Sequence, residues 1–440
     1  MSSAVFPRSL DLEYPSVESG AGVRLRTTDG RELLDACGGG AMVAVLGHGV
    51  PEIVDAAAAQ AERVTYAYNH HFTNDRQEEL ADRLLGLSPG MARARFTSGG
   101  SEANEMALRL ARAYHFESGD TGRWRVVTQA QSYHGATMAA LGLTGRASLR
   151  EPYSEYLPGN LHVRPSTWRV DPTGELALEE LDRVLDEAGP ESVAAWFCEP
   201  VVGAALPAWS PPRRFWEGLA ERRDEHGFLI CLDEIVSGVG RTGAWFAYEE
   251  LPFEPDVVTA GKALGAGYAP LAATLCRQHV YDAIAAGSRE FEHGHTWDGA
   301  PLSCAVGLTV LDYMAGHDLV ERVRERGPRL RDELEAAVGG LGIVREVRGR
   351  GFLLGVELVD PRDGESLLPD ELNAAELVDD AALDHGLLVA STHSTRDGYT
   401  GDQTLLAPAY TSTDEELVEI VERLAAALAD VERAVAGALS

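Results

Sequence analysis

Pro255-Asp256-Val257-Val258-Thr259-Ala260-Gly261-Lys262-Ala263-Leu264-Gly265-Ala266-Gly267-Tyr268 is the stretch on which the reading of this chain turns. Lys262 is the only lysine among 440 residues, so all the other basic residues of the 38 are arginine. A guanidinium serves charge and solubility, but it stays protonated and is a poor nucleophile. A primary amine can lose its proton when its pKa is lowered and can then form a Schiff base. Drift towards arginine that left one lysine in a glycine-rich loop is the plain alternative. The surrounding segments decide between the two.

Upstream and downstream of Lys262, short apolar runs alternate with helical segments from about residue 75 to 310. They sit at Val126–Thr128, Val193–Phe197, Phe228–Leu232, Val257–Thr259 and Leu271–Leu275. Such a pattern predicts a mostly parallel sheet covered on both faces. Ligands of these sheets bind beyond the carboxyl ends of the strands. The residues just past each run are therefore the candidates for chemistry.

Those residues form a consistent set. Phe96-Thr97-Ser98-Gly99-Gly100-Ser101-Glu102 precedes a helix with Ala103, Met106, Ala107, Leu110 and Tyr114 on one face. Its glycines and free N–H groups suit a phosphate, though a Gly-Gly-Ser loop is also an ordinary helix cap. Gln131-Ser132-Tyr133-His134-Gly135 offers an aromatic to stack on a planar ring, and Glu199-Pro200 a carboxylate on a stiff turn. Asp233-Glu234-Ile235 follows a buried apolar run, where an unpaired charge is costly. Arg241 is one available partner for Asp233. A protonated ring nitrogen, as in pyridoxal phosphate enzymes, is the other. An aldehyde-trapping lysine, a pyridinium-holding aspartate, a phosphate loop and an aromatic would then converge on one sheet edge.

Composition narrows the class. The 45% hydrophobic and 24% charged residues indicate a globular, soluble chain with a large core, in two or three domains. A net charge of −31 disfavours nucleic acid and anionic membranes as partners. No apolar stretch approaches the roughly 20 residues of a membrane span, and Met1 to Arg8 lacks the character of a signal peptide. Five scattered cysteines (Cys37, Cys198, Cys231, Cys276, Cys304) read as buried small hydrophobes of a reducing cytoplasm.

The flanks read differently from the middle. A hairpin is expected over Gly22–Arg26 and Glu32–Ala36 around the Asp29-Gly30 turn, with a helix from about Pro51. Beyond residue 311, helices are expected at Leu319–Val338 and Ala374–His385, and strands at Gly351–Val359, Leu387–Ala390 and Leu405–Ala407. A capping box at Thr413–Glu416 starts the last helix. The expected division is 1–55 and 313–440 as a small α+β domain and 56–312 as the large domain.

Together these motifs resemble the class III (omega) aminotransferases, within the fold-type I pyridoxal phosphate enzymes. The resemblance spans Leu46-Gly47-His48, Ser98–Asn104, Tyr133-His134-Gly135, Glu199-Pro200-Val201, Asp233-Glu234-Ile235 and Gly240–Gly243. It continues through Lys262–Tyr268, His295-Thr296-Trp297 and Pro301-Leu302. It implies an α/β fold with a mostly parallel seven-stranded sheet, plus a smaller domain built from both termini. It implies pyridoxal 5'-phosphate as cofactor and transfer of an amino group between an amine or amino acid and a keto acid or aldehyde. Epimerases, aminomutases and decarboxylases on the same fold are the alternative chemistry. A nicotinamide dehydrogenase is disfavoured, since no Gly-x-Gly-x-x-Gly follows the first strand of a βαβ unit with an acidic residue beyond.

The resemblance also implies roles. Lys262 would hold the cofactor as a Schiff base and shuttle the substrate proton, and Asp233 would pair with the pyridine nitrogen. Tyr133, beside His134, would stack on one ring face and Ile235 press on the other, while Gly100 and Ser101 would bind the phosphate. Glu199 would lie near Asp233 on the substrate side. Thr296 would reach the phosphate of a neighbouring subunit, making the enzyme a homodimer with shared sites. Two departures stand out. Val236 replaces a glutamine common after the Asp-Glu-Val/Ile triplet. Leu405 stands where several members carry a carboxylate-binding arginine, and an apolar side chain there cannot pair with a carboxylate. Arg396 is an alternative donor for such a carboxylate.

Overall fold

A computed structural model describes residues 4–393 and 401–439; Arg396 lies outside the described residues. The chain starts with the strands β1 (Val17–Ala21), β2 (Arg24–Thr27) and β3 (Glu32–Asp35), and the helices α1 (Pro51–Arg63) and α2 (Asp75–Gly86) follow. The expected hairpin is β2–β3, paired antiparallel with Arg24 opposite Leu34. Pro51 opens α1, where its fixed φ fits and its missing N–H is not needed. Asn74 caps α2 by accepting a hydrogen bond from the Gln77 N–H.

The middle of the chain alternates. It runs β4 (Arg93–Thr97), α3 (Gly100–Glu117), β5 (Arg125–Gln129), α4 (Met138–Leu143), α5 (Ala147–Arg150), β6 (Leu161–Val163), α6 (Glu175–Ala188) and β7 (Val193–Cys198). It continues with α7 (Arg213–His226), β8 (Leu229–Glu234), β9 (Val257–Ala260), β10 (Ala272–Cys276), α8 (Gln278–Ala286) and α9 (Pro301–Gly316). The seven strands lie in the order β4-β10-β9-β8-β7-β5-β6. Only β10 runs against its neighbours, pairing antiparallel with both β4 and β9. The remaining pairs are parallel.

Every residue of β7, β8, β9 and β10 is buried, as expected for strands covered on both faces. Removing each Val, Leu or Ile side chain from water contributes about 1.5–3 kcal/mol. Because side chains alternate across a strand, Asp233 and Glu234 leave the end of β8 on opposite faces. Glu234 holds the Ala247 and Tyr248 N–H groups and the Ser237 hydroxyl. Asp233 faces the cavity described below. Both crossovers into β8 and β9 therefore deliver polar residues to the same sheet edge.

The C-terminal part comprises α10 (Leu319–Val338), β11 (Val344–Arg350), β12 (Leu353–Leu358), α11 (Ala374–Asp384), β13 (Leu387–Leu388), β14 (Ala390–Thr392), β15 (Gln403–Leu406) and α12 (Asp414–Ala438). The capping box of α12 forms as expected, with Thr413 and Glu416 exchanging side-chain-to-backbone hydrogen bonds. Two four-stranded sheets result, β1-β2-β3-β13 and β11-β12-β15-β14. The N-terminal hairpin and the C-terminal chain meet where β13 pairs parallel to β3, Leu387 opposite Leu34. β11 has no counterpart among the expected strands, because its sequence VREVRGR carries no apolar alternation. It forms by pairing with the wholly buried β12. Among the described residues no helix is long and apolar enough to cross a membrane.

Candidate active site

Lys262 emerges directly after β9, past Gly261, and opens a short 3-10 turn. Its φ of 42° is left-handed, a conformation that costs a lysine on the order of 1 kcal/mol or more. Gln131 and Val239 near the same edge share positive φ values of 58° and 53°. Such strain is retained only where surrounding packing over-determines it. Gly261 keeps its neighbours close: a Cβ there would stand 3.0 Å from Ile235 Cδ1.

A cavity of about 290 Å³ opens over this edge, and Lys262, Asp233, Tyr133 and Glu199 are among its lining residues. Among the described residues nothing accepts a hydrogen bond from the Lys262 amine. Burial pushes its pKa down, and the Arg241 charge adds to that, while Glu199 and Asp233 pull it up. A lowered amine pKa is what a nucleophilic lysine needs.

Asp233 is 4% exposed. Its Oδ2 accepts from Asn104 Nδ2 at 2.7 Å and pairs with His134 Nδ1 at 2.9 Å. Its Oδ1 accepts from the Ile235 N–H at 3.0 Å and keeps a lone pair for a donor in the cavity. Asn104 is fixed in turn by donating to the His134 carbonyl and accepting from the Thr259 hydroxyl at 2.7 Å. His134 stands edge-on to Phe197, ring centroids 5.0 Å apart. Arg241, the alternative partner that the sequence offers Asp233, points elsewhere, so that alternative falls. It donates to the Phe352 and Pro408 carbonyls and lies over the Tyr410 ring. The turns between Gly238 and Gly243 carry it away from β8 towards the C-terminal part.

Glu199 accepts from the Tyr133 N–H at 3.2 Å and the Gly203 N–H at 2.8 Å. Burial, with the Asp233 charge adding to it, pushes its carboxyl up to about 7 against the opposing pull of His134 and those N–H groups. Tyr133 beside it is 39% exposed at the cavity mouth. Ile235, which also lines the cavity, packs against Ala103 and Ala272.

The start of α3 forms a cup. Gly99 is its N-cap and offers no side-chain bond, so the first N–H groups of the helix stay available. A Cβ on Gly100 would stand 3.0 Å from Ile235 Cγ2, and one on Gly135 would lie 2.4 Å from Ser101 Oγ. Backbone approaches this close need glycine. The Ser101 hydroxyl accepts from the Ala136 N–H, tying the two loops together. Thr296 alone of the expected site residues lies off this cavity. It is exposed, and its carbonyl accepts from the Tyr66 hydroxyl at 3.0 Å. Leu405 is buried in β15 against Cys37, Met42, Leu353 and Ala407.

Asn104 and Thr259 fall within the quoted motifs without an assigned role, and the structure makes them orienting residues. The available signal is a polar residue at a buried position of α3, next to Ala103 and Ala107. A half-buried amine in one cavity with a carboxylate that can accept a ring N–H, and a glycine cup at a helix start, fit pyridoxal phosphate. The fold and this cavity define a fold-type I pyridoxal phosphate enzyme. Comparison with known proteins sharpens the class. The family described as “Aminotransferase class-III” matches residues 8–428, and the chain belongs to that family.

Individual relatives agree with this assignment. An uncharacterized aminotransferase of Bacillus subtilis, YodT, is 32% identical over 98% of this chain and 99% of its own length. The tomato (Solanum lycopersicum) protein named gamma aminobutyrate transaminase 3, chloroplastic, is 31% identical over 97% of this chain and 83% of its own. A transaminase structure from the marine bacterium Virgibacillus superposes with a TM-score of 0.92 at 28% identity, covering 98% of this chain and 97% of that one. A pyridoxal-phosphate-bound amine transaminase from an uncultivated Pseudomonas species gives 0.89 at 31% identity, covering 98% and 99%. The protein is a pyridoxal-phosphate-dependent aminotransferase, and its chemistry is amino-group transfer.

Proposed function

We propose that Lys262 is the residue that binds the cofactor aldehyde covalently and, once free, carries the proton between the substrate α-carbon and the cofactor. The observation that carries this is the half-buried Lys262 amine, facing no hydrogen-bond acceptor among the described residues and lining one cavity with Asp233. The cofactor supplies an electron sink; the protein supplies position and charge. Asp233, held by Asn104 and His134, accepts the ring N–H and keeps it protonated. Tyr133 covers one ring face and Ile235 the other. The Gly100 and Ser101 N–H groups hold the phosphate at the start of α3. Glu199, whose carboxyl burial pushes up to about 7, lines the same cavity where an incoming amine would enter.

The substrate is an amine or amino acid exchanged with a keto acid or aldehyde. Position 405 does not hold a substrate carboxylate, because Leu405 is 1% exposed inside an apolar cluster. The working unit is a homodimer with shared sites. Exposed Tyr66 and Trp297 stand edge to face beside the cup, the kind of patch that marks an interface. A second cavity of about 820 Å³, lined by Thr65, Gly100, Trp297 and Leu302, leaves room there for a partner segment. Thr296 then serves the partner's phosphate. Residues 56–312 make the large domain, and 1–55 with 313–440 the small one. Five buried, unpaired cysteines fit a cytoplasmic location.

The test is a half-reaction: the holoenzyme is mixed with an amine donor and no acceptor. Stoichiometric conversion of the cofactor to its amine form, absent in Lys262→Ala, supports the reading. A Lys262→Ala protein that keeps the visible absorbance and turns over sinks it.

A further inference from the structure

Glu102 is the third residue of α3, and its two carboxylate oxygens do different jobs. Oε2 accepts from both the backbone N–H of Ser98, at 3.0 Å, and the Ser98 hydroxyl, at 2.5 Å. It thereby closes the loop Ser98-Gly99-Gly100-Ser101 on itself. Oε1 faces His295 Nε2 at 3.0 Å, on a segment far along the chain. The Ser98 and His295 bonds outweigh the upward push of burial and hold the Glu102 carboxyl below its usual range.

His295 is itself held in one orientation. Its Nδ1 accepts from the Trp297 N–H at 3.2 Å, which leaves Nε2 as the nitrogen that donates to Glu102. Its ring stacks on His293, centroids 5.9 Å apart and 14° between planes, and His293 stacks on Phe291. The segment ends at Asp298, 4% exposed, which accepts from Arg95 at 2.6 Å, His293 at 3.2 Å and Asn69 at 3.1 Å. The Gly299 N–H then donates to the Phe96 carbonyl. Arg95 and Phe96 belong to β4, the strand that leads into the cup. The segment 293–299 is thus anchored on both sides of Ser98–Ser101.

We propose that the Glu102–His295 pair is a positioning device for the cofactor phosphate: it straps the segment 293–299 across the cup and fixes the spacing of the Gly100 and Ser101 N–H groups. This rests on the reading that those N–H groups bind the phosphate. Neither side chain touches the reacting atoms. Fixing the cup in advance removes part of the ordering cost of binding, so the pair acts on cofactor retention rather than on the chemical step.

The test compares release of cofactor from holoenzyme after dilution, followed by the visible absorbance. It uses wild type, His295→Phe, which keeps a stacking ring without the hydrogen bonds, and His295→Gln, which keeps a donor for Glu102. Pyridoxal phosphate should leave His295→Phe about tenfold faster, the low end for losing an outer-shell partner, and His295→Gln near the wild-type rate. Enzyme loaded with phosphate-free pyridoxal should release it equally fast in all three. If His295→Phe does not fold, Glu102→Gln carries the same expectation. Faster release of both cofactors, or unchanged release of pyridoxal phosphate, overturns the proposal. A wild type that releases pyridoxal as slowly as pyridoxal phosphate instead overturns the phosphate reading beneath it.

Discussion

Asn104 Nδ2 meets Asp233 Oδ2 at 2.7 Å, across 129 residues of chain, and both side chains are buried. A carboxylate removed from water is costly unless donors compensate it. Here Asn104 and His134 take one oxygen and leave the other with a free lone pair. Their removal should therefore damage both folding and chemistry.

Asn104→Leu, close in volume, removes the amide and leaves the Thr259 hydroxyl and the His134 carbonyl without it. We expect about 1–3 kcal/mol of lost stability for the unpaired groups. The rate of the donor half-reaction should fall about 10- to 100-fold, as for other outer-shell partners. Stopped-flow absorbance on folded protein checks this; an unchanged rate would show that His134 alone orients Asp233.

Glu199 and Glu234 set a pH dependence. Both are buried without a cation in hydrogen-bond contact, and burial pushes each up to about 7 from a usual 4.5. Between those values the native state binds protons that the unfolded chain does not. Stability then falls as pH rises, by on the order of 3 kcal/mol per group once above pH 7. Thermal melts of cofactor-stripped enzyme at pH 5 and pH 8 should show it. Glu199→Gln should shrink the difference, and a melt that rises towards pH 8 would contradict the account.

Gly135 is another sensitive point. Its φ is +138°, and an added Cβ would lie 2.4 Å from Ser101 Oγ. Gly135→Ala should cost about 2–4 kcal/mol, combining backbone strain with overpacking of about 1–3 kcal/mol. Because the clash falls on Ser101, cofactor affinity should drop as well. Calorimetric melting with a cofactor titration measures both; wild-type affinity in this variant would remove Ser101 from the cup.

What can be read from sequence is chemistry local in the chain. Lys262 stands out because no other lysine competes with it, and Asp233 because a charge directly follows an apolar strand. The glycine cup at the start of α3 is visible as glycines before a helix. What escapes depends on contacts between distant segments, such as Asn104 with Asp233 or Glu102 with His295. Proximity in sequence misleads once. Arg241 lies eight residues beyond Asp233 (241 − 233), yet the turns between them direct it to Phe352 and Pro408. β11 is illegible because its half-buried, charged residues carry no period, and only its pairing with β12 makes it a strand.

The most direct test of the central claim is chemical. Borohydride reduction of the holoenzyme fixes the covalent cofactor adduct, and peptide mass spectrometry locates it. We predict stoichiometric modification of the peptide containing Lys262, abolished when the enzyme is first converted with an amine donor. An unmodified Lys262 peptide in an active, visibly coloured enzyme would contradict the assignment.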